Sequence, residues 1–322
     1  MDFFKTSNFE SFEQEALRIF RYQAKNNVVY GRFIDLLGIR IENVDQLHRI
    51  PFLPIEFFKS FEVLSSEDPV EQVFTSSGTT GVSTSRHLIT DLGLYEQSFT
   101  SGFTHFYGDI KDYVILALLP GYLERQGSSL IYMVDDFIKK SDSKYSGFYL
   151  DELDELSELL ITLDDRGEKV LLIGVTYALL DLLEKQKFSL KNTVVMETGG
   201  MKGKRKEMVR KELHQILGSG FGLSKIHSEY GMTELLSQAY SKGDGIFETP
   251  PWMKILIRDT EDPFQTLGIG KTGGINVIDF ANYNSCSFIA TQDLGRKIAQ
   301  DKFEILGRFD HSDIRGCNLM VV

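Results

Sequence analysis

Apolar positions recur along the chain in two alternating patterns, one typical of helices and one typical of strands. Up to about residue 245, apolar runs are separated by amphipathic segments whose apolar positions recur every three to four residues. Helices are predicted at residues 9–26, 28–37, 91–105, 128–140, 151–163, 176–186, 201–217 and 232–240. Strands are predicted at residues 72–75, 113–119, 169–174, 193–197 and 225–227. This alternation predicts right-handed crossovers and a mostly parallel sheet, the α/β class.

After residue 245 the pattern changes to short strands separated by glycine-containing turns. Such spacing predicts an antiparallel sheet or a small distorted barrel. The predicted strands are residues 254–258, 274–280, 287–291 and 303–306. We therefore expect a single unit over residues 1–322, with an α/β portion over 1–245 and a β-rich portion over 246–322.

Composition and charge exclude several classes of protein. The 322 residues carry a net charge of −11, whereas a nucleic-acid-binding protein needs a basic surface that displaces counterions. The amino-terminal residues lack the pattern of a signal peptide, and apolar runs stay well below the roughly 18 residues of a membrane span. We expect a cytoplasmic protein that binds no nucleic acid and has no membrane span.

The first segment with chemical character is a loop of hydroxyl residues and glycines after the predicted strand at 72–75. It reads Ser76-Ser77-Gly78-Thr79-Thr80-Gly81, and such a loop offers successive backbone N–H groups and hydroxyls to phosphate oxygens. It lacks the Gly-Lys-Ser/Thr ending of a P-loop. The alternative is an ordinary solvent-exposed turn.

A second segment, residues 227–234, runs His227-Ser-Glu229-Tyr230-Gly231-Met232-Thr233-Glu234. An aromatic ring at a turn can stack on a purine, and a threonine at a helix amino terminus can reach a phosphate. A neighbouring glutamate can hold Mg²⁺, which prefers carboxylate oxygens and water. The alternative is a helix cap formed by the threonine and glutamate.

Two further segments place glycines or charged groups at predicted strand ends. Gly199-Gly200-Met201 follows the strand at 193–197, and paired glycines let the backbone approach a flat ligand closely. Asp293 can accept both hydroxyls of a ribose, and Arg308 can meet phosphate or ribose oxygens. Each of these could equally be a simple turn.

Taken in this order, the segments resemble the adenylate-forming superfamily, which includes acyl-CoA synthetases, peptide-synthetase adenylation domains and luciferases. The segment at 50–59, the short length and the ending look most like the acyl-protein synthetases of bacterial luminescence operons. Phenylacetate–CoA ligases are more distant relatives. The resemblance implies the large amino-terminal type of domain found in these enzymes, and the early end of the chain implies that the mobile carboxyl-terminal domain is absent.

The resemblance also implies a role for each segment, with ATP and Mg²⁺ as cofactors. Catalytic roles fall on Thr80, His227, Arg308 and Cys317, and Glu234 is the implied Mg²⁺ ligand. The implied nucleotide contacts are Ser76, Ser77, Gly78, Thr79, Thr80, Gly81, Arg86, Gly199, Gly200, Met201, Glu229, Tyr230, Gly231, Met232, Thr233, Asp293 and Arg308.

The sequence departs from the superfamily at the phosphate loop. Relatives continue this loop with Pro-Lys, whereas Val82-Ser-Thr-Ser-Arg86 follows here, so Arg86 could replace the lysine. Cys317 occupies the place of the acyl-accepting cysteine of the acyl-protein synthetases, and a thiolate attacks a mixed anhydride readily. The alternative for Cys317 is a small buried hydrophobic residue.

The implied function is ATP-dependent activation of a carboxylic acid, expected to be a fatty acid, as acyl-AMP with release of pyrophosphate. The acyl group then passes to a protein thiol, and the partner is a reductase component or a carrier protein. One alternative is a ligase whose acceptor is coenzyme A or a carrier thiol. Another is a nucleotide-binding interaction protein without catalytic activity.

Overall fold

Helices and strands alternate over the first two thirds of the chain, and strands predominate after it. The computed structural model describes residue 4 and residues 12–76, 84–120, 127–150, 152–200 and 208–309. The α-helices are α1 (Phe12–Asn26), α2 (Val28–Leu36), α3 (Phe57–Ser60), α4 (Leu92–Tyr107), α5 (Ser129–Lys140), α6 (Leu153–Asp165), α7 (Thr176–Lys185) and α8 (Arg210–Phe221).

The strands build one large mixed sheet and one separate two-stranded ribbon. They are β1 (Leu53–Pro54), β2 (Gln72–Thr75), β3 (Arg86–Ile89), β4 (Val114–Leu118), β5 (Gly147–Phe148), β6 (Val170–Gly174), β7 (Thr193–Glu197), β8 (His227–Tyr230), β9 (Ala239–Ser241), β10 (Ile246–Glu248), β11 (Met253–Arg258), β12 (Thr266–Leu267), β13 (Thr272–Asp279), β14 (Phe288–Ala299) and β15 (Lys302–Arg308).

The large sheet is parallel at one end and antiparallel at the other. Its strand order is β12-β11-β13-β14-β15-β10-β9-β8-β7-β6-β4-β5, and β1 pairs in parallel with β14. Strands β5, β4, β6, β7 and β8 form the parallel part, and β8 pairs with β9 in the antiparallel direction. The predicted α/β class is confirmed, and the β-rich part continues the same sheet.

The core of the parallel part follows from its apolar strands. Strands β4 and β6 consist of five buried residues each, with the sequences VILAL and VLLIG. Continuous apolar runs are typical of parallel strands whose two faces are both covered by helices. No helix among the described residues is long and apolar enough to span a membrane.

The structure corrects one predicted element and the expected sheet of another. The predicted helix over residues 232–240 is wrong, because the Leu236 and Ser237 N–H groups donate to the buried Asp279 carboxylate at 3.0 and 2.9 Å. The segment is a turn that leads into β9. The strand at 72–75 is correct, but β2 pairs with β3 in the separate ribbon.

Other boundaries shift by several residues. The strand predicted at 225–227 lies at β8, and the strand predicted at 287–291 continues to Ala299. The segment at 50–59 leads into the short helix α3. Of the helix predicted at 201–217, residues 201–207 lie outside the described residues, and α8 begins at Arg210.

Candidate active site

A broad cleft of about 1830 Å³ opens where the parallel part of the sheet meets the antiparallel part. The carboxyl ends of β7 and β8 form its floor, residues at the ends of the β2–β3 ribbon border it, and β14 and β15 contribute a further wall. Ligands of open α/β sheets bind outside the carboxyl ends of the strands, where the strand order changes. The cleft is therefore the candidate active site.

Glu197, the last residue of β7, organises the floor of the cleft. Its buried carboxylate accepts hydrogen bonds from the Ser228 hydroxyl at 2.6 Å and from the Gly199 N–H at 2.7 Å. Arg210 and His214 of α8 approach the same carboxylate at 3.3 and 3.4 Å. Burial acts to raise the pKa of Glu197, but His214, Arg210 and Ser228 together lower it to about 2. Glu197 is therefore an ionised anchor between β7, β8 and α8.

Gly199 and Gly200 lie next to this anchor in left-handed backbone conformations. Their φ values are +74° and +89°, a region that glycine adopts without the steric cost of a side chain. A Cβ atom added at either position would have no described heavy atom within 4 Å. The backbone of both glycines borders the open cleft, as expected for a surface that a flat ligand approaches.

Asp293, Tyr230 and Arg308 form a connected group on the opposite wall. The Tyr230 hydroxyl donates to the Asp293 carboxylate at 2.8 Å, and Arg308 Nε donates to it at 3.0 Å. Asp293 is 4% exposed, whereas the Arg308 side chain is largely exposed. The structure therefore brings three predicted site residues from β8, β14 and β15 together around one carboxylate.

Residues 231–234 run along the cleft between these two groups. Gly231, Met232, Thr233 and Glu234 all border it. Burial raises the pKa of the Glu234 carboxyl, although a hydrogen bond from Ser85 lowers it. The nearby charges of Arg308 and Lys59 also lower this pKa. Glu234 is thus a buried carboxyl group at the edge of a basic part of the cleft.

His87 of β3 forms a hydrogen bond with the backbone of this segment. One ring nitrogen, Nδ1, lies 2.9 Å from the Thr233 carbonyl oxygen, and Nε2 lies 2.8 Å from the Ser285 hydroxyl. A carbonyl can only accept, so Nδ1 carries the proton and Nε2 accepts from the serine. Burial lowers the pKa of His87 to about 4, against a smaller opposing effect of the bond to Thr233. His87 is therefore neutral at physiological pH.

We predict that His87→Phe lowers the free energy of unfolding by about 2 kcal/mol, because the Thr233 carbonyl and the Ser285 hydroxyl lose their partner. The ordinary pKa of histidine is 6.5 and the folded pKa of His87 is about 4, so at pH values between these two the wild-type histidine takes up a proton when the protein unfolds. The free energy of unfolding of the wild type therefore falls as the pH is lowered through this range. The difference in this free energy between wild type and variant becomes smaller. Urea unfolding at both ends of the pH range measures this difference. A difference that stays constant would contradict the assignment of His87 as a neutral buried histidine.

The predicted phosphate loop lies mostly outside the described residues. Ser76 and Ser85 hold its two ends together: the Ser76 hydroxyl accepts from the Ser85 N–H at 2.9 Å, and the Ser76 N–H donates to the Ser85 carbonyl at 3.1 Å. Ser76, Thr84 and Ser85 border the cleft, so both ends of the loop lie at the candidate site. The predicted contacts outside the described residues are Ser77, Gly78, Thr79, Thr80, Gly81, Met201 and Cys317.

Two predicted site residues are not brought together with the others. His227 is on the face of β8 that packs against α4, where its Nδ1 lies 3.1 Å from the Tyr107 hydroxyl. Burial and then the charges of Lys242 and Lys225 lower its pKa to about 4. Arg86, at the start of β3, has a half-exposed side chain 3.8 Å from Glu62. Neither borders the described cleft.

The sequence analysis did not identify the residues that hold the site in place. These are His87, His214, Arg210, Ser228 and Asp279, whose partners are distant in the sequence. Glu197 stood at a predicted strand end before two glycines, which is the signal that could have identified it. Within the described ranges, no group of three or more acidic, histidine or cysteine side chains is arranged to hold a metal ion.

Comparison with known proteins gives one family. The family model described as acyl-protein synthetase, LuxE, matches residues 128–322, more than half of the chain. A long-chain-fatty-acid–luciferin-component ligase of Vibrio harveyi is 25% identical over 324 aligned positions, which cover 93% of this chain and 84% of that protein.

Solved structures of adenylate-forming ligases have the same fold. ATP-bound MatB from Rhodopseudomonas palustris has a TM-score of 0.56 at 17% identity, with 76% of this chain and 49% of MatB covered. A 2-hydroxyisobutyryl-CoA ligase in complex with its acyl-adenylate has a TM-score of 0.64 at 10% identity, with 92% and 67% covered. This chain therefore spans about half the length of MatB.

Proposed function

Because the chain belongs to the LuxE family of acyl-protein synthetases, we propose that it activates a carboxylic acid with ATP and transfers the acyl group to a thiol. The family predicted from the sequence is confirmed. The observation that supports the chemistry best is the meeting of Asp293, Tyr230 and Arg308 beside Gly199, Gly200 and Glu234. The proposed compartment is the cytoplasm, where ATP is available.

The nucleoside part of ATP fits the region between the glycines and Asp293. The carboxylate of Asp293 is already oriented by Tyr230 and Arg308, so it can accept ribose hydroxyls without a new conformation. The open backbone of Gly199 and Gly200 leaves room for the edge of the adenine. In this proposal the Tyr230 ring contacts the adenine face.

The phosphates fit the side of the cleft bordered by Ser76 and Thr233. Lys59 and Arg308 supply positive charge there, and the remaining phosphate loop begins directly after Ser76. The carboxyl group of Glu234 is the donor that fits Mg²⁺, since this ion is usually held by one or two carboxylates together with substrate phosphates. Bound there, Mg²⁺ would neutralise phosphate charge.

The reaction needs positioning and charge stabilisation more than covalent participation of the protein. A carboxylate oxygen of the acid attacks the α-phosphorus, the bond from this phosphorus to pyrophosphate breaks, and acyl-AMP forms. A thiolate then attacks the acyl carbonyl carbon, and the carbon–oxygen bond to AMP breaks with its electron pair on AMP. In this proposal Arg308 stabilises the charge that develops on the phosphate oxygens.

The proposed acceptor is Cys317, from which the acyl group passes to a partner protein. The acid is proposed to be a fatty acid, which the name of the Vibrio harveyi ligase supports. Intact-mass measurement after incubation with ATP, Mg²⁺ and acid tests the acceptor. We expect an acyl mass increment on the wild type and none on Cys317→Ser. An increment that persists in Cys317→Ser, or that appears only on added coenzyme A, would move the acceptor elsewhere.

The adenylation step is tested by isotope exchange between pyrophosphate and ATP. We expect exchange only when a suitable acid is present, because the acid is the nucleophile in the reversible step. If the protein binds ATP but shows no acid-dependent exchange with any carboxylic acid tested, the result would favour a nucleotide-binding protein without catalytic activity.

A further inference from the structure

A strip of polar side chains lies on the face of β8 and β9 that packs against α4. We call Glu229, Gln238 and Tyr240 the polar strip. Glu229 and Tyr240 are direct cross-strand partners, and Gln238 immediately precedes β9 on the same face as Tyr240. Glu229 and Gln238 both border the cleft.

The polar strip has hydrogen-bonding capacity that the described residues do not use. Gln238 is 5% exposed and Tyr240 is 2% exposed. Among the described residues, neither Gln238 Oε1 nor the Tyr240 hydroxyl has a hydrogen-bond partner. Leaving a buried polar group without a partner costs about 1–3 kcal/mol, so such groups usually have a function or a bound molecule.

The Glu229 carboxyl group and the Gln238 side chain both approach Gly231. Gly231 lies between them, and a Cβ atom added there would collide with Glu229 Oε1 and lie 3.3 Å from Gln238 Cγ. The absence of a side chain at Gly231 therefore leaves room for the Glu229 carboxyl group and the Gln238 side chain to lie beside it.

The protonation state of Glu229 adds a donor to this point. Burial and then the negative charge of Glu197 raise the pKa of Glu229 to about 8. Its carboxyl group is therefore mostly neutral at pH 7 and can both donate and accept a hydrogen bond. Gln238 Oε1, by contrast, can only accept.

The cleft is also bordered by apolar and aromatic side chains. Leu130 and Met133 of α5 border it, together with Tyr95 of α4, whose hydroxyl is already bound to the Ser129 carbonyl at 3.0 Å. A ligand here would pack a hydrocarbon surface on α5 and present a polar group to the polar strip.

We propose that the polar strip selects a carboxylic acid whose hydrocarbon part carries a hydroxyl group. The hydroxyl donates to Gln238 Oε1 and accepts from Glu229, a pairing that an unsubstituted chain or a ketone cannot complete. This inference rests on the proposed acid-activating function and specifies its substrate class. A site built to bind a hydroxyl discriminates strongly against the analogue without one, because its polar groups then stay unpaired.

The test compares matched sets of acids of equal chain length: unsubstituted, ketone-bearing, and hydroxylated at different carbons. Pyrophosphate release gives kcat/KM for each acid, and calorimetric titration without nucleotide gives its affinity. We expect the best hydroxy acid to exceed its unsubstituted and ketone counterparts by about 10- to 100-fold in both measurements. Equal or better use of the unsubstituted acid or the ketone would overturn the proposal.

Gln238→Met tests the residue, because methionine keeps the volume and removes the acceptor. We expect the preference for the hydroxyl to fall to about twofold or less, while the melting temperature does not decrease. The same substitution at the exposed Gln186 is the matched control and should leave the preference unchanged. An unchanged preference in Gln238→Met would overturn the assignment.

Failure of this inference and failure of the proposed function give different results. Acid-dependent pyrophosphate release without a hydroxyl preference would reject the inference and keep the function. A hydroxyl preference in calorimetry without pyrophosphate release for any acid would reject the function and keep the selectivity.

Discussion

Replacement of Glu197 by alanine is expected to lower the free energy of unfolding by about 3–5 kcal/mol, because the cations of a buried charge network lose the carboxylate with which they pair. The described partners left behind include the cations of Arg210 and, when protonated, His214, together with the Ser228 and Thr176 hydroxyls and the Gly199 N–H. These groups connect β7, β8 and α8 beneath the cleft. Urea unfolding of the purified variant measures the loss.

Two variants sharpen this test. Glu197→Gln keeps the size and one acceptor oxygen, so we expect an intermediate loss. Glu212→Ala removes an exposed carboxylate from α8, and such surface changes usually stay within about 0.5 kcal/mol. A loss in Glu197→Ala no larger than that in Glu212→Ala would contradict the anchoring role.

The same network has a definite pH dependence. The folded pKa of Glu197, about 2, lies below its ordinary value of 4.5, so its contribution is complete above 4.5 and disappears as the pH falls towards 2. The stability difference between wild type and Glu197→Gln should shrink over that interval.

Asp293→Ala is expected to lower kcat/KM for ATP by about 100-fold, roughly 3 kcal/mol, because the carboxylate would accept charge-assisted bonds from the nucleotide. It also removes the acceptor of Tyr230 and Arg308, which then lose their fixed positions. Steady-state pyrophosphate release at varied ATP concentration measures the effect.

The control for this variant is Asp35→Ala, which removes an exposed carboxylate from α2. We expect it to retain the wild-type kcat/KM. Circular dichroism of both variants separates a loss of binding from a loss of folding. A folded Asp293→Ala protein with wild-type kinetics for ATP would place the ribose elsewhere in the cleft.

Sequence patterns predicted the elements whose stability is local or depends on continuous apolar runs. The buried runs of β4 and β6 and the amphipathic helices α4 and α5 appear close to their predicted positions. Periodicity reports which side of an element is apolar, so it succeeds where burial alone decides the structure.

The predictions failed where a distant residue decides the local conformation. Residues 232–240 have a helical pattern, but Asp279 binds the backbone N–H groups of Leu236 and Ser237, 43 and 42 residues away in sequence. His87 likewise meets Thr233 and Ser285 at separations of 146 and 198 residues. No local pattern carries such information.

The sequence predicted the motif residues of the candidate site, but it did not predict the residues that hold them in position. Asp293, Tyr230 and Arg308 were identified individually from their strand ends and from the family resemblance, and the fold adds that they share hydrogen bonds. The role of Glu197 as an anchor required the positions of α8 and β8, because its partners converge only in the folded chain.

The most direct test of the central claim follows the oxygen atoms of the acid. Incubation with ATP, Mg²⁺ and a carboxylic acid labelled with ¹⁸O in both carboxyl oxygens, followed by mass spectrometry of AMP, reports which atom attacked the α-phosphorus. Acyl-adenylate formation and transfer to a thiol predict one ¹⁸O atom in each AMP. Unlabelled AMP would show attack by water, and label in inorganic phosphate would show an acyl phosphate, either of which would contradict the account.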